Sequence, residues 1–205
     1  MEPLGLTVDL AAALRRITGM ALAQESESVA VGDLLRALEQ AEVRLRDGMP
    51  GDLRPRLGDE CRPEQRVYLD HARDIGAYNP CFPEYSIDVA GDEATGKVCF
   101  PLAYEGPPGL VHGGFLAVFF DCVVQHHNCD VGVTGKTTSM TVAYRRPTPL
   151  LVDLDFSVSR SATERRLSSE AKLTLGDEVL CGATVEAVAG DRSKLPTVSP
   201  RRTGR

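Results

Sequence analysis

One stretch of the chain constrains its fold more than any other. Residues 115–124 read FLAVFFDCVV, apolar at every position except Asp121. A helix of that pattern is apolar on all sides and belongs inside a fold rather than on its surface. It is too short to cross a bilayer, which takes about 20 apolar residues, and no other run approaches that length. The flanking chain supplies its cover. Tyr85, Ile87 and Val89 alternate with Glu84, Ser86 and Asp88, and Met140, Val142 and Tyr144 alternate with Ser139, Thr141 and Ala143. Val152, Leu154, Phe156 and Val158 alternate with Asp153, Asp155, Ser157 and Ser159, while Leu167, Ala171, Leu173 and Leu175 share one face of a further run. Residues 97–102 and 179–189 add two more strands, with polar turns at 91–96 and at Gly176-Asp177. Prolines exclude helix and central strand from residues 105–109, and Pro147-Thr148-Pro149 makes a turn. Strands that are half polar belong to an antiparallel sheet packed on one side only. The simplest α+β object is a curved antiparallel sheet of about six strands wrapped around one buried central helix.

The two ends read differently. Residues 1–49 carry helical spacing: Thr7 can cap a helix through Leu10, Leu14 and Ile17, and Leu34, Leu35, Leu38, Ala41 and Leu45 make a second stripe that Gly48 and Pro50 end. Turn signals fill residues 50–63, and a short helix is expected over about residues 63–75. The organisation is thus a helical extension and linker over residues 1–62, the sheet-and-helix domain over 63–189, and a basic, disordered tail over 190–205. The net charge of −6 argues against nucleic acid, whose phosphates demand clustered Lys and Arg. Arg15 and Arg16 cut short the only N-terminal apolar run, so no signal peptide is expected. None of the six cysteines forms a Cys-x-x-Cys pair, and their apolar flanks suit small buried residues in a reducing, cytoplasmic setting.

The chemistry starts from Asp121. A buried carboxylate costs several kcal/mol unless a partner or a cavity relieves it. It either bonds a neighbouring backbone group, or faces a subunit contact, or works on a ligand. Just before the apolar run stands His112-Gly113-Gly114. Paired glycines let backbone approach a ligand closely, and a helix start offers unpaired N–H groups and the positive end of its dipole. Such a start can polarise a thioester carbonyl, or be an ordinary glycine-rich helix beginning. Gly114 and Asp121 are seven positions apart, about 10 Å along a helix. A carbonyl donor and a base must each lie about 3 Å from the reacting group, so one helix cannot give both to one carbonyl. Two antiparallel copies can, which predicts at least a twofold dimer with shared sites.

The run Gly109-Leu110-Val111-His112-Gly113-Gly114, then Asp121, then Thr137 ahead of Tyr144-Arg145-Arg146-Pro147-Thr148-Pro149-Leu150, resembles the hotdog-fold acyl-CoA thioesterases of the hydroxybenzoyl-CoA thioesterase superfamily. The resemblance is nearest to the phenylacetate-pathway and mammalian thioesterase-superfamily-member types. Asn79-Pro80-Cys81-Phe82-Pro83 and the Glu105-Gly106-Pro107-Pro108-Gly109 loop are similar to bacterial members. The likeness spans about residues 76–189 and leaves out the helical extension. It implies a hotdog fold and hydrolysis of an acyl-CoA thioester. Asp121 would attack the thioester or activate water, the backbone at Gly113 and Gly114 would polarise the carbonyl, and His112 would shape that turn. Thr137 would position the water or the carboxylate, with Thr138 one residue away from exchanging places with it. The resemblance implies no cofactor beyond the coenzyme A of the substrate, no metal, and a homodimer or homotetramer at work in lipid metabolism.

Charged residues outside the motif bear on the ligand. Arg145 and Arg146, or Arg165 with Arg160 and Arg166, can meet the phosphates of coenzyme A, or can be solvated turn residues. His126-His127 point about 100° apart on a helix and find no partners at metal-ligand spacing, so they are expected to end the helix near its negative pole. His71 is expected at the surface of the short helix. Two other functions compete with hydrolysis: a hotdog hydratase or dehydratase with His112 as base, and a non-catalytic acyl-CoA sensor.

Overall fold

The computed structural model describes residues 5–56, 62, 64–68, 74–132 and 134–190. The described residues form two compact units, one within residues 20–68, the other within residues 5–19 and 74–190. His71 and most of the basic tail lie outside the described residues. Among the described residues, no helix is long and apolar enough to cross a membrane.

In the first unit the second helical stripe is helix α2, Val29–Asp47. Ser28 caps its start by accepting from the Ala30 amide, and Gly48 closes its end with Arg44 and Arg46 in the last turn. No residue of α2 is buried, so its apolar stripe stays open. Strands β1, Asp52–Pro55, and β2, Gln65–Arg66, pair in parallel. A helix over residues 63–75 is not what forms: part of that segment is β2, and the helical turn α3 is only Ile75–Tyr78.

The second unit carries the sheet and the central helix. Helix α1, Gly5–Leu22, starts before Thr7, and its buried Arg15 ties it to the rest of this unit. Arg15 donates Nε–H to the Phe82 carbonyl at 2.9 Å and Nη2–H to the carbonyls of Gly76 and Asn79 at 2.5 and 3.2 Å. Strands β3, Tyr85–Ala90; β4, Glu93–Cys99; β5, Thr134–Tyr144; β6, Asp153–Ala162; β7, Arg166–Leu175; and β8, Glu178–Ala189, form one sheet. Its order is β3-β4-β6-β7-β8-β5, antiparallel at every pairing, with β3 and β5 at the edges. The polar turn expected over residues 91–96 shrinks to Gly91-Asp92, because β4 already begins at Glu93. Gly96 belongs inside the strand for a steric reason: a Cβ there would meet the Ser86 carbonyl at 2.0 Å and the Phe156 ring at 2.4 Å. The ring occupies the space a side chain would have taken.

Helix α4, Gly113–Val131, is the predicted central helix, extended by a further two turns. Phe119, Phe120, Val123 and Val124 are fully buried against Leu154, Phe156, Val158 and Leu173 of the sheet. The Phe119 ring meets Phe100 and Phe156 edge to face at 5.3 and 5.4 Å. The helix is not buried all round, as its apolar composition implies. Phe115 and Val118 are 39% and 51% exposed, and Asp121, Cys122 and Gln125 follow them, half-buried, at helical spacing. One face of α4 packs the core and the opposite face is open.

Candidate functional site

The open face of α4 carries the candidate residues Asp121 and, at its start, His112, Gly113 and Gly114. His112 sits at the helix N-cap in extended conformation, and its Nδ1 accepts from the Gly114 amide at 3.0 Å. In the neutral ring this leaves the proton on Nε2, on an exposed imidazole. It also engages one of the two glycine amides the sequence offers as carbonyl donors. The Gly113 amide, at the first helical position, is among those a helix start leaves without an intrahelical partner. Gly113 has a second role that its composition does not announce. The Tyr144 hydroxyl donates to its carbonyl at 2.8 Å, and a Cβ on Gly113 would stand 3.1 Å from the Tyr144 ring.

Two turns along the same face, Asp121 accepts at Oδ1 from the Thr137 hydroxyl at 2.7 Å. Thr137 can reach it because β5 is irregular there. The register against β8 shifts between Thr134 and Thr137 and again between Thr137 and Ser139. Such bulges re-aim a side chain. The neighbouring Thr138 points elsewhere, donating to the Glu186 carbonyl at 3.1 Å on the exposed side. Of the two threonines the sequence leaves interchangeable, only Thr137 meets the carboxylate. Gln125 and Thr134, which no motif singles out, extend the contact. Gln125 donates Nε2–H to Thr137 Oγ1 at 2.8 Å, and Thr134 donates to Gln125 Oε1 at 3.3 Å. Cys122 lies beside the carboxylate, and burial, with the Asp121 charge added, pushes its thiol up to about 12.

No family model matches the chain, and no curated protein matches it. Solved structures do. A crystal structure of a thioesterase superfamily protein is 25% identical, aligned over 92% of this chain and 93% of its own, with a TM-score of 0.73. A Streptococcus mutans protein crystallised with acetyl-CoA is 12% identical over 52% of this chain and 89% of its own, with a TM-score of 0.50. The chain has the hotdog fold. At 12% identity the second likeness is one of fold alone. The span of the first is longer than the hotdog unit alone.

The hotdog unit separates the arginines. Arg145 and Arg146 follow the end of β5 that Tyr144 pins to the helix start. Arg165 lies at the other end, where its carbonyl accepts from the Ala189 amide, opposite Thr134. The 11 residues of β5 hold the two groups about 30 Å apart along the strand. Arg146 pairs with Glu178 at 2.9 Å, in an open groove lined also by Arg145, Asp177 and Val179. His126 and His127 do not end the hotdog helix, which runs on to Val131. His127 is fully buried and donates Nε2–H to the Gly91 carbonyl at 2.8 Å. His126 is also buried. Its Nδ1 accepts from the Tyr85 hydroxyl at 2.7 Å, and its Nε2 faces Asp130 at 3.5 Å. Burial raises the Tyr85 phenol far above its ordinary range, which keeps it a donor. The buried Nδ1 of His127 has no hydrogen-bond partner among the described residues, and among those residues no cluster of three metal-binding side chains forms. The expectation of buried cysteines holds only for Cys181: Cys99, Cys122 and Cys129 are half-buried, Cys81 is exposed, and Cys61 lies outside the described residues.

Proposed function

We propose that this chain is an acyl-CoA thioesterase that hydrolyses its substrate at a site shared between two copies, with Asp121 as nucleophile or general base. The observation that carries the reading is the Thr137 hydroxyl bond to Asp121 on the open face of the central helix. A half-buried carboxylate held by one directed donor, beside exposed apolar side chains, is a group kept ready for a substrate. Phe115 and Val118 offer the apolar part of the acyl group somewhere to lie. The carbonyl would rest at the other copy's helix start, facing the Gly113 amide and the Nε2–H of His112. The reason is spacing: α4 is continuous from Gly113 past Asp121, so donor and base on one helix stand about 10 Å apart. In one route Asp121 takes a proton from water as that water attacks the carbonyl carbon and the coenzyme A thiolate leaves. In the other Asp121 itself attacks, the thiolate leaves as the acyl anhydride forms, and water then hydrolyses the anhydride to release the acid and free Asp121. In both routes the carbonyl charge is stabilised at the helix start.

This reading carries a cytoplasmic homodimer or homotetramer, with coenzyme A recognised through Arg145, Arg146 or Arg165 at its phosphates. Arg145 and Arg165 are the freer candidates, since Arg146 already holds Glu178. The test is subunit mixing with release of free thiol as readout. An Asp121→Asn chain is co-expressed with a Gly114→Phe chain, each inactive alone. A shared site gathers both defects in one half of the mixed dimer and leaves the other half intact, so up to half the activity returns. No recovery in verified mixed dimers places donor and base on one chain and refutes the shared site. Binding of acyl-CoA without any thiol release makes the protein a sensor instead.

A further inference from the structure

We infer that Gln125, backed by Thr134, is a positioning residue that fixes the direction of the hydrogen bond arriving at Asp121. Its effect on turnover rests on the thioesterase reading, but its geometry does not. An ionised carboxylate only accepts, so the Thr137 hydroxyl must spend its single proton on Asp121 Oδ1. The Thr137 oxygen can then only accept from the next group, and Gln125 Nε2–H supplies that bond at 2.8 Å. The Gln125 amide is thereby oriented, and its Oε1 takes the Thr134 hydroxyl proton at 3.3 Å. Each of the three bonds runs toward Asp121. With the amide turned over, Oε1 would face Thr137, and two acceptors would compete for one proton.

The placement follows from the two elements. Gln125 is four residues beyond Asp121 on α4, one turn along the same face. Thr134 and Thr137 flank a register shift on β5, so both can face the helix. The consequence lies at the carboxylate. Oδ1 is held by Thr137, and among the described residues Oδ2 takes no hydrogen bond. One oxygen is anchored and the other is presented to the substrate.

The test uses two variants of the full chain. Gln125→Glu keeps the shape but, when ionised, cannot donate to Thr137, so the introduced carboxylate competes with Asp121 for the hydroxyl proton. Gln125→Met removes the donor. Each is expected to lower kcat about tenfold with KM within about twofold, the loss of one directed bond in the transition state. In a Thr137→Val background, Gln125→Met should cost less than about twofold further, because its effect passes through Thr137. A crystal structure of Gln125→Glu should find Thr137 Oγ1 turned from Asp121, beyond about 3.5 Å. The inference is overturned if both variants keep wild-type kcat, or if Gln125→Met costs as much without the Thr137 hydroxyl as with it. It is equally overturned if Thr137 stays on Asp121 in the Gln125→Glu crystal. A wild-type chain inactive on every acyl-CoA would sink the thioesterase reading, and the crystal structure would still decide the role of Gln125.

Discussion

Thr137→Val separates the site from its surroundings most cleanly. Valine keeps the β-branched shape that suits β5 and removes only the hydroxyl. That hydroxyl makes a 2.7 Å bond to a carboxylate and accepts a 2.8 Å bond from Gln125. Hydrogen bonds to charged groups are worth about 1.5–3 kcal/mol. At about 1.4 kcal/mol for each factor of ten, losing the Asp121 bond in the transition state lowers turnover about 10–100-fold. The orphaned Gln125 amide adds little, because it is half-buried and water can replace its partner. Thr138→Val is the internal control. Its hydroxyl bonds a carbonyl on the exposed side of the strand, a contact worth about 1 kcal/mol or less and remote from the carboxylate. Steady-state thiol release should therefore give a large fall in kcat with nearly constant KM for Thr137→Val, and near wild-type kinetics for Thr138→Val. Equal losses for the two, or none for Thr137→Val, would refute the assignment of Thr137.

Three more outcomes are expected. Asp121→Asn keeps size and removes the charge, so kcat should fall by about three orders of magnitude or more while the thermal midpoint holds, since nucleophile or base action is lost outright; unchanged turnover would end the role of Asp121. Gly96→Ala drives a Cβ to 2.0 Å from the Ser86 carbonyl of the paired strand, where backbone must move, and should cost about 2–3 kcal/mol in urea unfolding; a neutral change would show that β3 and β4 yield there. Cys122, pushed up to about 12, stays a thiol in the fold while the unfolded chain ionises near its ordinary value of about 9. Its stabilising contribution is complete below that value and is lost as pH rises toward about 12, and Cys181, pushed up to about 11 by burial, acts in the same direction. The urea midpoint should fall with alkalinity, and Cys122→Ala should flatten the fall; the same slope in both proteins would count against it.

How much of this was legible in the chain follows from how local each signal is. The apolar run around Asp121 and the period-two strands are read within a few residues, and the hotdog core forms where they place it. Thr137 was within reach only as one of two adjacent threonines, because the bulges that aim it depend on how β5 meets β8. Gln125 and Thr134 carry no local signal. An amide and a hydroxyl nine positions apart become a pair only when the helix lies on the strand. The same lack of tertiary information misplaced His126 and His127, whose polarity suggests a helix end. Their partners, the Tyr85 hydroxyl and the Gly91 carbonyl, come from the opposite edge of the sheet and its first hairpin. Gly96 looked like a turn residue because nothing nearby reveals that Phe156 lies over it.

Strand β5 lies at the sheet edge, hydrogen-bonded to β8 on one side only, yet it touches α4 at three levels: Thr134 on Gln125, Thr137 on Asp121 and Tyr144 on Gly113. Strand against helix behaves as a vernier. The side-chain period is two on one element and near 3.6 on the other, so the three marks coincide at one setting alone. A one-residue insertion between Thr137 and Tyr144 would break the match between the two ends, so that either Thr137 turns outward or Tyr144 leaves the helix start. The same insertion after Tyr144, in the Arg145-Arg146 turn, would leave all three aligned. Length variation in relatives of this chain should therefore gather in that turn and avoid the strand.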